Sequence, residues 1–213
     1  MAKKTHPIAL RLGINKNWRS RWFSLKNMKA YIKQDLAIRS FLVKHLKAAG
    51  LESIEIERFA DVINIILRVA KPGLLIGRGG TGVEILKKEI DKVLSKLKAD
   101  ASVKLQIEEV KNPDISAPII AQFVANNIEK RIPYRKVLKR AIERVMSHKE
   151  AKGIKIALAG RIDGAEISRK EWLKQGNLPL NTLRSNIDYT ETRAETIYGT
   201  LGVKVWIYKG EQI

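Results

Sequence analysis

The chain has 213 residues, 45% of them hydrophobic, with 41 Lys and Arg against 22 Asp and Glu and a formal charge of +19. That length and apolar content build one large or two ordinary cored domains rather than a disordered tail, and the charge calls for a polyanionic partner, nucleic acid before a membrane surface. Cysteine is absent, which removes disulfides, thiolate metal sites and thiol nucleophiles, and no stretch approaches the roughly 20 apolar residues of a membrane span.

The first 34 residues hold nine Lys or Arg and no acid. Residues 1–16 lack sustained periodicity and carry Lys3, Lys4, Arg11 and Lys16, so they are expected to form a basic arm that orders on nucleic acid. Arg11 breaks the early apolar run, so no secretory signal is expected; the acid-free basic start also mimics an organellar transit peptide, but Pro7 and Gly13 spoil an amphipathic helix and favour the arm reading.

From about Asn27 to Ala49, Tyr31, Ile32, Ile38, Leu42 and Leu46 recur at helical spacing, and Gly50 provides the stop. Ile54 to Phe59 alternates as a strand, and Ile63, Ile65, Leu67 and Val69 share one face of a second, which together predict a hairpin. Lys71-Pro72-Gly73 breaks the pairing, and a short turn leads into Gly77-Arg78-Gly79-Gly80. Val83, Leu86, Ile90, Val93 and Leu97 then mark a helix, and Val103, Leu105 and Ile107 a third strand. Asn112-Pro113-Asp114 reads as a domain boundary, so the expected division is an arm over 1–16, one domain over 17–111 and another over 112–213.

The second domain opens with a helix on Ile119, Ile120, Phe123, Val124 and Ile128; after Pro133 a second buries Val137, Leu138, Ala141, Ile142 and Val145. Strands follow at 153–158, 187–197 and 202–208. The fold class is α+β, with two helices packed on a mainly antiparallel sheet in this half.

Glycines at 77 and 80 permit close backbone contact with a phosphate chain, Arg78 offers a bidentate partner, and the helix start near Thr81 adds partial positive charge. The alternative is a turn that simply needs glycine geometry. The densest cationic run spans Lys130 to Lys155 and includes Lys130, Arg131, Arg135, Lys136, Lys139, Arg140 and Arg144 against only Glu143 and Glu150. Within it Lys136, Arg140 and Arg144 recur every four residues and line one helix side, able to track phosphates; a solvated face would normally mix signs. Trp18 and Trp22 lie among Arg19, Arg21 and Lys26, which suits base stacking and packing equally, whereas Trp172 and Trp206 fit core or interface better than a site. His6, His45 and His148 are scattered, so no metal site is expected, and no cofactor either. No phosphate loop, His-Glu-x-x-His or Gly-x-Ser-x-Gly is present, and Asp163 and Glu166, the loop acids near basic groups, read as turn or ion-pair residues.

End to end, the chain resembles the bacterial form of the third protein family of the small ribosomal subunit. The resemblance runs through His6-Pro7, Arg11-Leu12-Gly13-Ile14, Arg68 to Gly73, Ile76 to Gly80 and Lys152-Gly153-Ile154-Lys155. It is densest in Gly160-Arg161, Gly164-Ala165-Glu166-Ile167, Ser168-Arg169, Glu171-Trp172, Gly176 to Leu180, Ile187-Asp188-Tyr189 and Gly202 to Ile207. It implies an N-terminal type II KH domain and a C-terminal ribosomal α+β domain, located in the small-subunit head. The implied RNA contacts include Gly77 to Gly80, the arm cations, Arg161 and Arg169, and the run from Lys130 to Arg144 would face the path by which mRNA enters and assist its passive unwinding. The implied partners are 16S rRNA, mRNA, head proteins ten and fourteen and entrance-channel proteins four and five, with no membrane and no homo-oligomer. The family's loop commonly carries two cations between its glycines where Gly79 leaves only Arg78, and its basic tail has no counterpart after Lys209-Gly210-Glu211. A cytoplasmic, ribosome-bound protein without catalysis is thus expected, with an organellar ribosome as the alternative location; the alternative functions are a free KH protein of RNA processing and a nucleic-acid strand-cleaving enzyme.

Overall fold

The computed structural model describes residues 5–59, 62–97 and 102–212, and it divides into two compact units, Trp18–Lys111 on one hand and Met1–Asn17 with Asn112–Ile213 on the other. No helix among the described residues is long and apolar enough to cross a membrane.

The first helix in chain order, α1 (Pro7–Leu10), belongs to the unit that holds both chain ends. In the unit 18–111 the elements are β1 (Ser20–Arg21), α2 (Met28–His45), β2 (Leu51–Phe59), β3 (Val62–Val69), α3 (Gly73–Ile76), α4 (Thr81–Ser95) and β4 (Ser102–Glu109). The sheet order is β1-β2-β3-β4, with β2 and β3 antiparallel (Ile56 opposite Ile65) and β4 parallel to β3 (Leu105 opposite Ile65). Alternation sends Ile54, Ile56, Ile63, Ile65, Leu67 and Val69 to one face, where Ile38 and Leu42 of α2 and Leu86, Ile90 and Leu94 of α4 cover them. Each such side chain contributes about 1.5–3 kcal/mol through burial. The opposite face is polar: Arg21 pairs with Glu55 and Glu57, and Arg68 with Glu55 and Glu108. This is the helix and strand order expected of the KH fold.

Trp22 belongs to this packing rather than to a stacking surface. Its indole Nε1 donates to Asp35 at 2.9 Å and its ring meets Tyr31 edge-on, while Arg58 pairs with Asp35 at 2.6 Å and lies 4.6 Å over Tyr31. Gln34 completes the buried polar cluster by accepting from Arg58 at 2.8 Å. Trp18 remains 67% exposed.

The other unit contains α1 together with α5 (Ala117–Glu129), α6 (Tyr134–Met146), β5 (Gly153–Gly160), β6 (Arg169–Gly176), β7 (Ser185–Thr196) and β8 (Gly199–Glu211). Its sheet runs β6-β5-β8-β7, antiparallel throughout. Ile120, Val124 and Ile128 of α5 and Leu138, Ile142 and Val145 of α6 pack against Ile154, Ile156, Leu158, Val203, Val205 and Ile207, so both helices cover one face. Asp188 of β7 anchors the start of α5 by accepting from the Ala117 N–H at 2.9 Å. Strand β6 gives no periodic signal in the sequence because it is an edge strand, exposed at every position but Glu171, and shows no apolar alternation.

The expectation of a basic arm over 1–16 is corrected. Residues 7–10 form a helical turn with Pro7 at its first position, and Arg11 is fully buried. Its guanidinium donates to the carbonyls of Pro7, Leu180, Thr182 and Ser185 at 2.8–2.9 Å, so it stitches the N-terminal segment to the loop before β7 and is not an exposed RNA contact. A carbonyl nest suits a guanidinium because five N–H donors can be satisfied in one plane. Lys16 follows on this segment, part-exposed, and Lys3 and Lys4 lie outside the described residues. Replacing Arg11 by Met leaves several buried carbonyls without donors, and is expected to lower stability by about 3 kcal/mol in chemical denaturation; a loss under about 1 kcal/mol would contradict the structural role.

Candidate nucleic-acid interfaces

In the KH unit, α3 ends at Gly77, whose N–H closes the turn onto Gly73. Gly77 has φ 68° and ψ −173°, Gly79 φ 65° and Gly80 φ 81°, so three of the four loop residues occupy left-handed backbone that L side chains rarely adopt. The result is a tight reversal that exposes backbone and delivers the chain into the N-terminus of α4. Of Arg78 only the backbone is described. Gly82, which the sequence motif does not include, locks the loop from behind: a Cβ there would sit 2.2 Å from the Leu75 carbonyl oxygen. Its signal was the further glycine just past the loop. At Gly79 a Cβ would meet no atom within 4 Å, so a side chain would project into open space.

In the other unit, α6 holds Lys136, Lys139 and Arg140 exposed on the side away from Leu138, Ala141 and Val145. Arg135 is exposed too, but its Nε is 3.1 Å from the Tyr134 hydroxyl, with its guanidinium 5.7 Å from the Tyr134 ring centroid; that hydrogen bond raises its pKa further. Arg144 diverges from this row. Its Nε and terminal nitrogen reach Asp114 at 2.6 Å, and it lies over the Phe123 ring at 5.3 Å, so it is tied into its own domain.

The turn between α5 and α6 carries Lys130 and Arg131. Lys130 caps α5, and Arg131 has φ 59°. The Arg131 N–H donates to Ile128 at 2.8 Å and the Ile132 N–H to Asn127 at 3.1 Å, the paired bonds of a Schellman cap with Arg131 in the left-handed position that normally holds glycine. Asp163 has φ 52° and, with Arg131, is one of two described non-glycine residues in this region of backbone space. Both line one groove of about 360 Å³, together with Ile132, Arg161, Thr196 and Tyr198. Arg161 is held there by donating to Ala165 at 3.0 Å. A neighbouring hollow of about 560 Å³ shares Asp163 and Gly164 and adds Arg135, Arg169 and Glu171. The tertiary structure thus brings Arg131 and Arg135 together with Arg161 and Arg169, which the sequence separates by about thirty positions. It also inserts Glu129, Asp163, Glu171 and Glu195 among them, and Glu129 accepts the Glu195 N–H at 3.0 Å. Among the described residues no group of three His, Asp or Glu side chains could hold a metal ion.

Left-handed backbone at a residue with a Cβ costs about 1 kcal/mol. Arg131→Gly is therefore expected to raise stability by about 1 kcal/mol, read as a midpoint shift of roughly 2–4 °C, while weakening RNA binding. Gly79→Lys is expected to do the reverse: stability falls by about 1 kcal/mol, and the slope of log RNA affinity on log salt steepens by about 0.7–0.9, one added phosphate contact.

Comparison with known proteins bears on both units. Residues 37–115 match the model of the KH domain, and residues 124–207 match that of the ribosomal protein S3 C-terminal domain. The small ribosomal subunit protein uS3 of Coprothermobacter proteolyticus is 48% identical over 212 residues, covering 99% of this chain and 89% of that protein. The uS3 proteins of Caldicellulosiruptor saccharolyticus and Streptococcus mutans are 45% and 43% identical, again over 99% of this chain and over 93% and 94% of their own lengths. With identity at this level across both units, the chain belongs to the bacterial uS3 family of small ribosomal subunit proteins, a structural rather than an enzymatic family.

Proposed function

We propose that this protein is a structural component of the small ribosomal subunit that binds 16S rRNA and contacts mRNA where it enters, bound to the ribosome in the cytoplasm. The observation that supports the mRNA contact best is the clustering of Lys136, Lys139 and Arg140 on the exposed side of α6 beside the groove that holds Arg131 and Arg161. Cations so arranged hold single strands by phosphate neutralisation without reading bases. Holding separated strands lowers the free energy of the open state, while translocation supplies the motion, so unwinding here needs no nucleotide hydrolysis. Arg144 contributes to this surface by bracing α6 against Asp114 rather than by reaching outward.

The KH loop supplies a second contact, through backbone and helix start more than through charge, because Gly79 offers none. Arg161 and Arg169 extend the basic surface from the strands toward α6. In assembly the family resemblance points to head proteins ten and fourteen, and to proteins four and five around the entrance, as neighbours.

The test uses ribosomes carrying Arg131→Ala, Arg135→Ala and Lys136→Ala together. If these cations supply about 1 kcal/mol to the open state, translation through a stable mRNA hairpin slows about fivefold while unstructured mRNA is translated at the normal rate. Equal speed through the hairpin would reject the unwinding role.

A further inference from the structure

The two helices of the unit 1–17 with 112–212 cover one face of its sheet, and the register of the strands defines what the other face carries. Trp172 of β6 stands opposite Ala157 of β5, Lys174 opposite Lys155, Lys155 opposite Trp206 of β8, and Trp206 opposite Tyr189 of β7. These side chains make one continuous row. His6 meets Tyr189 edge-on at 4.9 Å, Tyr189 lies 5.1 Å from Trp206, and the Lys155 ammonium sits between two indoles, 5.5 Å from Trp206 and 4.7 Å from Trp172.

The row is closed at one end and open at the other. On the β7 side the N-terminal segment covers it through His6, and the Tyr189 hydroxyl donates to Glu191. That bond, with Lys204 at 2.9 Å, holds Glu191 below the usual carboxylate range, so this acid is paired within the face; Glu195, two residues beyond Arg193 on the same strand face, is exposed. On the β6 side Trp172 is 59% exposed, with Lys155 against one face of its ring. Lys170 and Lys174, two residues to either side of Trp172 on the same strand face, are both exposed. Opposite Trp172 and Lys170 on β5 stand the small residues Ala157 and Ala159.

We propose that this open sheet face is a second RNA-binding surface, on which an unpaired base stacks on Trp172 while Lys170 and Lys174 contact the flanking phosphates. An exposed indole backed by a cation and flanked by lysines matches the chemistry of single-stranded RNA, a π-face to stack and negative charge on either side. A neighbouring protein would need acidic or apolar groups here to meet five cations, Lys155, Lys170, Lys174, Lys204 and Arg193, one of them already paired with Glu191. Trp172 stands on the edge strand, where it also lines a hollow of about 190 Å³ with Tyr134, Arg135 and Lys139 of α6, so the strand-face surface adjoins the helical one along β6. The proposal shares with the preceding section only its class of ligand; the residues are different.

The experiment measures binding of the full-length protein to a single-stranded oligoadenylate of about twelve nucleotides at about 0.1 M salt. Compared are the wild type, Trp172→Ala, Trp172→Phe, Lys170→Ala with Lys174→Ala, and, as an independent arm, Lys136→Ala with Arg140→Ala. Trp172→Ala is expected to weaken binding at least about fivefold with its salt dependence unchanged, and Trp172→Phe to keep most of the affinity. The lysine pair should flatten the slope of log affinity against log salt by about 1.4. Binding by Trp172→Ala equal to wild type overturns the proposal. If that same variant fails to enter small subunits, the face takes a protein neighbour instead. Loss only in the α6 arm supports the helical surface and rejects this one; loss only in the Trp172 arm does the opposite.

Discussion

The architecture of this protein hangs on a buried guanidinium. Arg11 satisfies its donors on the carbonyls of Pro7 and of residues 180, 182 and 185, and so ties the chain's beginning to a loop that comes almost a full chain length later. A cation buried without a carboxylate persists only where enough oriented dipoles replace its water, and here the loop before β7 is shaped to supply them. The consequence is topological. The C-terminal unit is built from both ends of the sequence, and the KH unit leaves from it and returns to it between residues 17 and 112. Positive charge near the start of the chain is thus spent in part on holding the fold.

The same division of labour runs through the rest of the charge. Arg58, Arg68, Arg21 and Arg144 have carboxylate partners within their own unit, and Arg39 is used up on the carbonyls of Arg19 and Ile54. Lys136, Lys139 and Arg140 of α6 are among the described cations that stay exposed. That sorting explains how a chain with a charge of +19 folds without self-repulsion dominating, since the acids are placed where cations would otherwise face one another. It also explains why a count of lysines and arginines along the sequence overstates the binding surface.

Two places accept backbone strain close to the candidate site. Arg131 occupies a helix cap that glycine would fill at lower free energy, and Asp163 holds a left-handed turn across the same groove. A residue that keeps a long cation in a glycine position exchanges stability for the placement of that cation. In the KH loop the trade runs the other way: Gly79 keeps the backbone relaxed and gives up a charge.

Much of this was legible in the residues. Apolar spacing alone placed both KH hairpin strands, the helices on either side of them and the two helices of the second domain, because those elements are amphipathic and each buries one face. The glycine loop was readable because left-handed backbone favours glycine, although Arg131 and Asp163 adopt it without one. What the sequence could not decide was which charges face outward. Arg11 and Arg144 look like their neighbours in one dimension and become structural only when Ser185 and Asp114 are brought to them. Strand β6 was hidden because an exposed edge strand has no apolar period, and with it the row from Tyr189 to Trp172, which exists only in the register of four strands. Local periodicity reports burial of a face; pairing between distant segments, set by packing and by the satisfaction of buried polar groups, decides what each charged or aromatic side chain is for.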